Sequence, residues 1–175
     1  ASYIIAEGPD GLYLIDQHAA HERILFEQIK DQRSHRRIDV QTLLEPVPFE
    51  VTPRQGEILK ARCENLAGFG FSVEPFGEGT FLIRTVPAWL AGRDWSAMIR
   101  GLLDGERGQA DWEEWVAISI ACHSAVRAGQ VLTDDEMREM VRQLEQTAIP
   151  HSCPHGRPTM IHLSLGQLGK EFGRS

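Results

Sequence analysis

Two short apolar runs, Ser2–Glu7 and Leu12–Asp16, open the chain on either side of Gly8-Pro9-Asp10-Gly11. Turn formers between two runs of this kind predict a β-hairpin. From Gln17 to about Ser34 the period changes, and Ile24, Leu25 and Ile29 form the apolar stripe of a helix. Gln41–Pro46 and Val47–Val51 read as extended segments broken by prolines. Thr52-Pro53-Arg54-Gln55 is a helix start with Pro53 at the first helical position; Ile58, Leu59 and Leu66 follow as its stripe, and Gly68 and Gly70 end it. Phe71–Pro75 and Thr80–Val86, around Gly77-Glu78-Gly79, predict a second pair of strands. Helical spacing returns at Trp95–Leu103 and Trp112–Ala128, with Asp104–Gln109 between them expected as a mobile loop. Thr133-Asp134-Asp135-Glu136 is a capping box that opens a helix to about Gln146. A compact loop at His151–Pro158, a strand at Thr159–Leu163 and a short helix to Phe172 complete the pattern. The order predicts an α+β fold of two lobes. One is built from both chain ends, residues 1–46 and 109–175, and the other is an inserted lobe at 47–108.

Composition narrows this picture. A chain of 175 residues with 42% hydrophobic and 25% charged residues has enough apolar material for a core and is not disordered. A strand pattern at the first residues, without an initiator Met, is what a piece of a longer protein would show. No apolar run approaches the ~18 residues of a membrane span, and no signal or transit peptide is visible, so no membrane partner is expected. Cys63, Cys122 and Cys153 are odd in number and unrelated in spacing; they fit a reducing cytoplasm with thiols available to metal rather than a disulfide framework. The net charge of −7 is unexpected for a stand-alone nucleic-acid binder. If the chain acts on DNA, most of the affinity comes from elsewhere.

The candidate chemistry begins where the first hairpin gives way to the first helix. Asp16, His18 and Glu22 are three divalent-metal ligands, and the four-residue spacing of His18 and Glu22 puts them on one helix face. Asp16 sits where it can cap that helix. An ordinary helical pair on a solvated face has the same spacing. The order His18-Ala19-Ala20-His21-Glu22 fits neither H-E-x-x-H nor H-x-x-E-H, which argues against a metalloprotease. A second cluster is Cys153-Pro154-His155-Gly156-Arg157-Pro158, in which Cys153 and His155, two apart, suit an extended loop stiffened by its prolines. Cys122 is a third thiol candidate, although its apolar run Trp115–Cys122, taken alone, favours core packing; Cys63 reads as a core residue. Together Asp16, His18, Glu22, Cys122, Cys153 and His155 supply ligands for one zinc-like site of nitrogen and sulfur and a neighbouring site richer in oxygen. Glu27, five beyond Glu22, is off the ligand face and suits a supporting role.

Asp16–Glu27 has the form D-Q-H-A-x-x-E-x-x-x-x-E, which resembles the metal-binding endonuclease motif of the MutL mismatch-repair family. Ala121-Cys122-His123-Ser124-Ala125 resembles the family's A-C-x-x-A element, Cys153–Pro158 its C-P-H-G-R-P element, and Phe172-Gly173-Arg174, more weakly, its F-x-R tail. These elements run from residue 16 to residue 174, so the resemblance covers essentially the whole chain as a bacterial MutL C-terminal domain. It implies that the six residues above are metal ligands, with Glu22 bridging and with Asp16, His18 and Glu22 carrying catalysis. The implied activity is a DNA-nicking endonuclease. Arg157 then either contacts a DNA phosphate or holds its loop.

Further expectations follow from the same resemblance. Gln41-Thr42-Leu43-Leu44-Glu45-Pro46 matches the family's Q-x-x-L-x-P motif for the replicative sliding clamp: Leu44 can enter an apolar pocket, Gln41 hydrogen-bond at its rim and Pro46 end the peptide. The family implies a homodimer formed by the lobe of the chain ends, an N-terminal ATPase domain in the same chain, MutS as a partner and a cytoplasmic, nucleoid-associated setting. Thiolate and imidazole favour Zn²⁺ in an organising role, while the carboxylates suit Mn²⁺ or Mg²⁺ for cleavage. A small-molecule zinc hydrolase and a non-catalytic, zinc-stabilised dimerisation and recruitment module are the competing classes. A negatively charged domain that binds duplex DNA weakly would nick only when its partners hold it there.

Overall fold

The computed structural model describes residues 3–105, 112–126 and 129–174. Its elements are mixed helix and sheet, an α+β fold, and they group into two compact units: Ala1–Glu27 with Ala125–Ser175, and Gln28–Ser124. Among the described residues no helix is long and apolar enough to cross a membrane.

In the first unit, β1 (Tyr3–Gly8) and β2 (Gly11–Asp16) form the expected hairpin, and β6 (Met160–Ser164) pairs antiparallel with β2 to give the order β1-β2-β6. Gly11 is required where the strands meet: its φ is 153°, and a Cβ there would lie 2.1 Å from the Leu163 carbonyl oxygen. Side chains alternate across the sheet. Ile4 and Ile15, with Ala6, Tyr13 and Met160 beside them, face a core completed by Ala20 and Ile24 of α1 (Gln17–Ser34) and by Met140 and Leu144 of α5 (Asp134–Glu145). The opposite face presents Ile5, Leu14 and Ile161 in one register row, flanked by Tyr3 and Leu163; of these Tyr3, Ile5, Ile161 and Leu163 are exposed. α5 starts at the expected capping box, with Thr133 accepting from the Glu136 backbone N–H, and α6 (Leu165–Glu171) starts at a similar box between Ser164 and Gln167.

The second unit holds the other sheet, order β3-β5-β4, from β3 (Val40–Glu50), β4 (Ser72–Pro75) and β5 (Thr80–Pro87). α2 (Pro53–Ala67) begins at the Thr52–Gln55 capping box, and Met98 and Ile99 of α3 (Trp95–Asp104), Val116 and Ile120 of α4 (Trp112–Ser124), Phe69 and Ile83 are all buried.

Two element boundaries differ from expectation. The two proline-broken segments at 41–51 are one strand, because β3 lies at a sheet edge, where Pro46 and Pro48 need not donate to a neighbour. β3 and its partner β5 both fall in the Gln28–Ser124 unit. α4 ends at Ser124, short of Ala128, and a 3-10 turn at Ala88–Leu90 has no periodic signature that would foretell it. Residues 106–109 of the expected mobile loop, and residues 127–128, lie outside the described residues.

Candidate metal centre

Asp16 is the last residue of β2 and the hinge on which the site is built. It pairs with Tyr3 in the sheet, and its backbone N–H donates to the Thr159 carbonyl at 2.9 Å. Its Oδ1 accepts from the backbone N–H groups of His18 and Ala19 at 2.9 and 3.0 Å. That is helix capping, which fixes where α1 starts and hence which face carries His18 and Glu22.

His18 and Glu22 meet on that face, Nε2 to Oε1 at 3.2 Å. The Nδ1 of His18 lies 2.9 Å from the Val126 carbonyl oxygen. A carbonyl can only accept, so Nδ1 carries a proton; in that neutral tautomer the lone pair is on Nε2, the atom that faces Glu22. Glu22 is only 1% exposed, unusual for a carboxylate and tolerable only with charged or polar partners around it. Its Oε2 accepts from Arg157 at 2.9 Å and lies 3.4 Å from the Nδ1 of His155.

The Cys153–Pro158 loop brings the other donors. The backbone N–H of Cys153 donates to the Arg157 carbonyl at 2.8 Å, and that of Gly156 to the Cys153 carbonyl at 2.9 Å. Gly156 takes φ 81°, a conformation that suits glycine and closes the turn. Ser152 and Pro158 form an isolated β-bridge at its base. One ligand atom each from Glu22, Cys153 and His155 lie within 4.8 Å of one another, with Glu22 and Cys153 buried and His155 open to solvent. Arg157 is held above the usual guanidinium range by its hydrogen bond to Cys153 and by the charge of Glu22.

The remaining predicted residues divide. Glu27 accepts from the Ala148 backbone N–H at 2.8 Å and lies 3.5 Å from the guanidinium of Arg23, away from the cluster. Arg23, in turn, donates from Nε to the carbonyl of Ser152, the residue before Cys153. It was not singled out in the sequence, where it falls at an unassigned position of the D-Q-H-A motif; its apolar neighbours Ile24 and Leu25 were the one hint that it would be buried. Cys122 sits in the last turn of α4 and is half-buried, in the Gln28–Ser124 unit. Cys63, expected in the core, is half-buried; its Sγ donates to the Leu59 carbonyl, and burial pushes its thiol up. Phe172 is exposed and the Arg174 backbone N–H closes the last turn onto Gly169. Gln41 and Pro46 are exposed and Leu44 fully so, on a stretch of β3 that leaves register between Thr42 and Val47.

Residues 1–132 match the family model described as the MutL C terminal dimerisation domain. The chain belongs to that family. Curated relatives agree: it is 42% identical over 181 residues to the DNA mismatch repair protein MutL of Caulobacter vibrioides, covering 99% of this chain and 28% of that protein. The MutL of Pelotomaculum thermopropionicum is 44% identical over 178 residues, 98% of this chain and 29% of that protein, and that of Methanoculleus marisnigri 41% over 180 residues, 99% and 31%. The chain therefore spans under a third of the length of these relatives. As a MutL C-terminal dimerisation domain, it carries both the exposed apolar sheet face and the Glu22–Cys153–His155 cluster in its first unit.

Proposed function

We propose that this chain is the homodimerising, metal-dependent DNA-nicking domain of a protein of DNA mismatch repair. The observation that carries the reading is the convergence of Glu22, Cys153 and His155 within 4.8 Å in a chain of this family. The donor set fits a divalent cation: a buried carboxylate, a thiol, and imidazoles of which His18 has its tautomer set for coordination through Nε2. Asp16, His18, Glu22, Cys153 and His155 are the proposed ligands in the first unit, and Cys122 joins them on the strength of the sequence motif. Sulfur and nitrogen suit Zn²⁺, and the carboxylates of Asp16 and Glu22 suit Mn²⁺ or Mg²⁺. A cation held there supplies Lewis-acid polarisation of a phosphodiester and an acidified water. The chain's own part is to hold the donors in place: Asp16 starts the helix, Val126 orients His18, and Arg23 with Glu27 fixes the loop that carries Cys153.

The supporting residue furthest from the cluster gives a direct check. Glu27→Ala removes the acceptor for Ala148 and frees Arg23, and outer residues of this kind typically change metal affinity 10–100-fold. About a tenfold weaker Zn²⁺ affinity is expected by competition with a chromophoric chelator; an unchanged affinity would show that Glu27 serves the fold alone.

The exposed face of Tyr3, Ile5, Ile161 and Leu163 is assigned to a second copy of the chain. The net charge of −7 makes the isolated domain a poor DNA binder, so an ATPase domain elsewhere in the longer protein, MutS and the sliding clamp bring it to DNA, in the cytoplasm at the nucleoid. Leu44, with its whole side chain in water on an edge strand, is the clamp anchor, with Gln41 and Pro46 beside it. Gln41→Ala with Leu44→Ala should abolish stimulation of nicking by the clamp and leave metal content unchanged. Stimulation that persists in this variant refutes the docking role.

One observation favours a second reading, a non-catalytic module stabilised by zinc. Cys153 is 1% exposed and both oxygens of Glu22 are engaged by protein groups, as in many structural sites. Relaxation of supercoiled plasmid separates the two. Nicking that requires Mn²⁺ supports the nuclease, and none at high protein concentration, with Mn²⁺ and clamp both supplied, sinks it.

A further inference from the structure

Arg157 lies where a second cation would be in competition with it. Its NH2 donates to Oε2 of Glu22 at 2.9 Å, and its own loop carries Cys153 and His155, the other two clustered donors. The two ends of this contact differ in exposure. The Glu22 side chain is 2% exposed and fixed by the α1 backbone, whereas the Arg157 side chain is 58% exposed on its loop. A carboxylate oxygen this deeply buried has its charge balanced from within the protein, and Arg157 is the permanently charged group that does so. Leaving costs Arg157 little, because its side chain is already more than half exposed.

We propose that Arg157 is an internal competitor for the metal centre: its guanidinium and a divalent cation take the same Oε2 of Glu22, so Arg157 sets the affinity of the site from below. The inference rests on the metal-centre reading above and adds a regulatory consequence to it. Any group that draws the exposed guanidinium outward raises the affinity for the cation, and by reciprocity the cation raises the affinity for that group. A phosphate oxyanion is the chemistry best matched to a planar guanidinium fork. The two roles considered for Arg157, phosphate contact and loop support, become two positions of one side chain.

The test is Mn²⁺ binding to the dimeric chain, followed by the electron paramagnetic resonance of free Mn²⁺. Mn²⁺ prefers oxygen donors, so the readout follows Glu22 and is insensitive to any effect of Arg157 on the Cys153 thiol. Arg157→Gln is expected to bind Mn²⁺ about tenfold more tightly than the parent chain. Arg157→Lys keeps the charge but loses the fork, and falls between the two. It serves as the reporter should the glutamine variant not fold. Affinity that is unchanged or weaker in the reporting variant, while the parent binds Mn²⁺, overturns the competition and leaves the metal centre standing. No binding by parent and variants alike removes the metal centre itself, and this inference with it.

Discussion

Glu22→Gln is expected to reduce Mn²⁺-dependent relaxation of supercoiled plasmid by more than about 100-fold while the domain remains folded and dimeric. The substitution is nearly isosteric, and each hydrogen bond has a replacement. An amide oxygen can accept from Arg157, and an amide NH2 can donate to the His18 Nε2 lone pair that the Val126 contact leaves available. Satisfied buried groups keep the stability cost small. Arg157 loses its counter-ion, but at 58% exposure water compensates most of that loss. What disappears is the negative charge at the centre of the cluster, and with it the hardest donor shared between His18 and His155. Full-rate nicking by a folded Glu22→Gln protein would separate the cluster from the chemistry. Matching thermal melts and lost metal, measured alongside, would confirm that the defect lies in the site.

The contrast between what the sequence disclosed and what it concealed follows the range of the interactions involved. Hairpin, α1, α2 and α5 were legible because each is decided locally: the Gly8–Gly11 turn, the Asp16 cap, the Thr52–Gln55 and Thr133–Glu136 boxes all act within a few residues. β3 runs through its prolines because they signal a break only where both strand edges must pair, and its position at the edge of a sheet is a tertiary fact. The end of α4 had no stop signal in its apolar run. In the site, the spacing of His18 and Glu22 was readable, and so was the loop of Cys153 and His155. That Glu22 would be buried and answered by Arg157, 135 residues away, was not. Neither was the bond from Arg23 to the Ser152 carbonyl, 129 residues apart, which seats the loop against the helix. The ligand types could be listed from the chain; the groups that aim them depend on backbone atoms, which leave no mark on composition.

Asp16 joins these levels. Its side chain caps α1, its N–H is given to Thr159 just beyond the Cys153 loop, and its strand register is set by Tyr3 in β1. A one-residue slip of β2 against β1 would turn every side chain of the strand to the other face and move the start of the helix with it. The same pleat that points Ile4 and Ile15 into the core points Ile5 and Leu14 outward. The geometry of the centre and the apolar face assigned to the partner copy are therefore consequences of one register.

Ile5→Arg is expected to convert the dimer to a monomer, weakening self-association by at least about 100-fold in sedimentation equilibrium. Ile5 is 74% exposed in the single chain and sits at one end of the row it forms with Leu14 and Ile161. A guanidinium there stays hydrated in the monomer, so the melting temperature of the separated chain should hardly move. In a two-fold symmetric interface each substitution is met twice. Burying an unpaired charge costs about 2–5 kcal/mol, so the paired penalty of roughly 4–10 kcal/mol exceeds what a standard interface can absorb without losing most of its affinity. Ile161→Arg, on the other edge strand of the same row, should behave alike, whereas Ile149→Arg, equally apolar but on the loop that follows α5, should leave the dimer intact. A dimer that survives both sheet substitutions would place the partner elsewhere, and the apolar row would then need another occupant to explain why four large hydrophobic side chains of one sheet face are left in water.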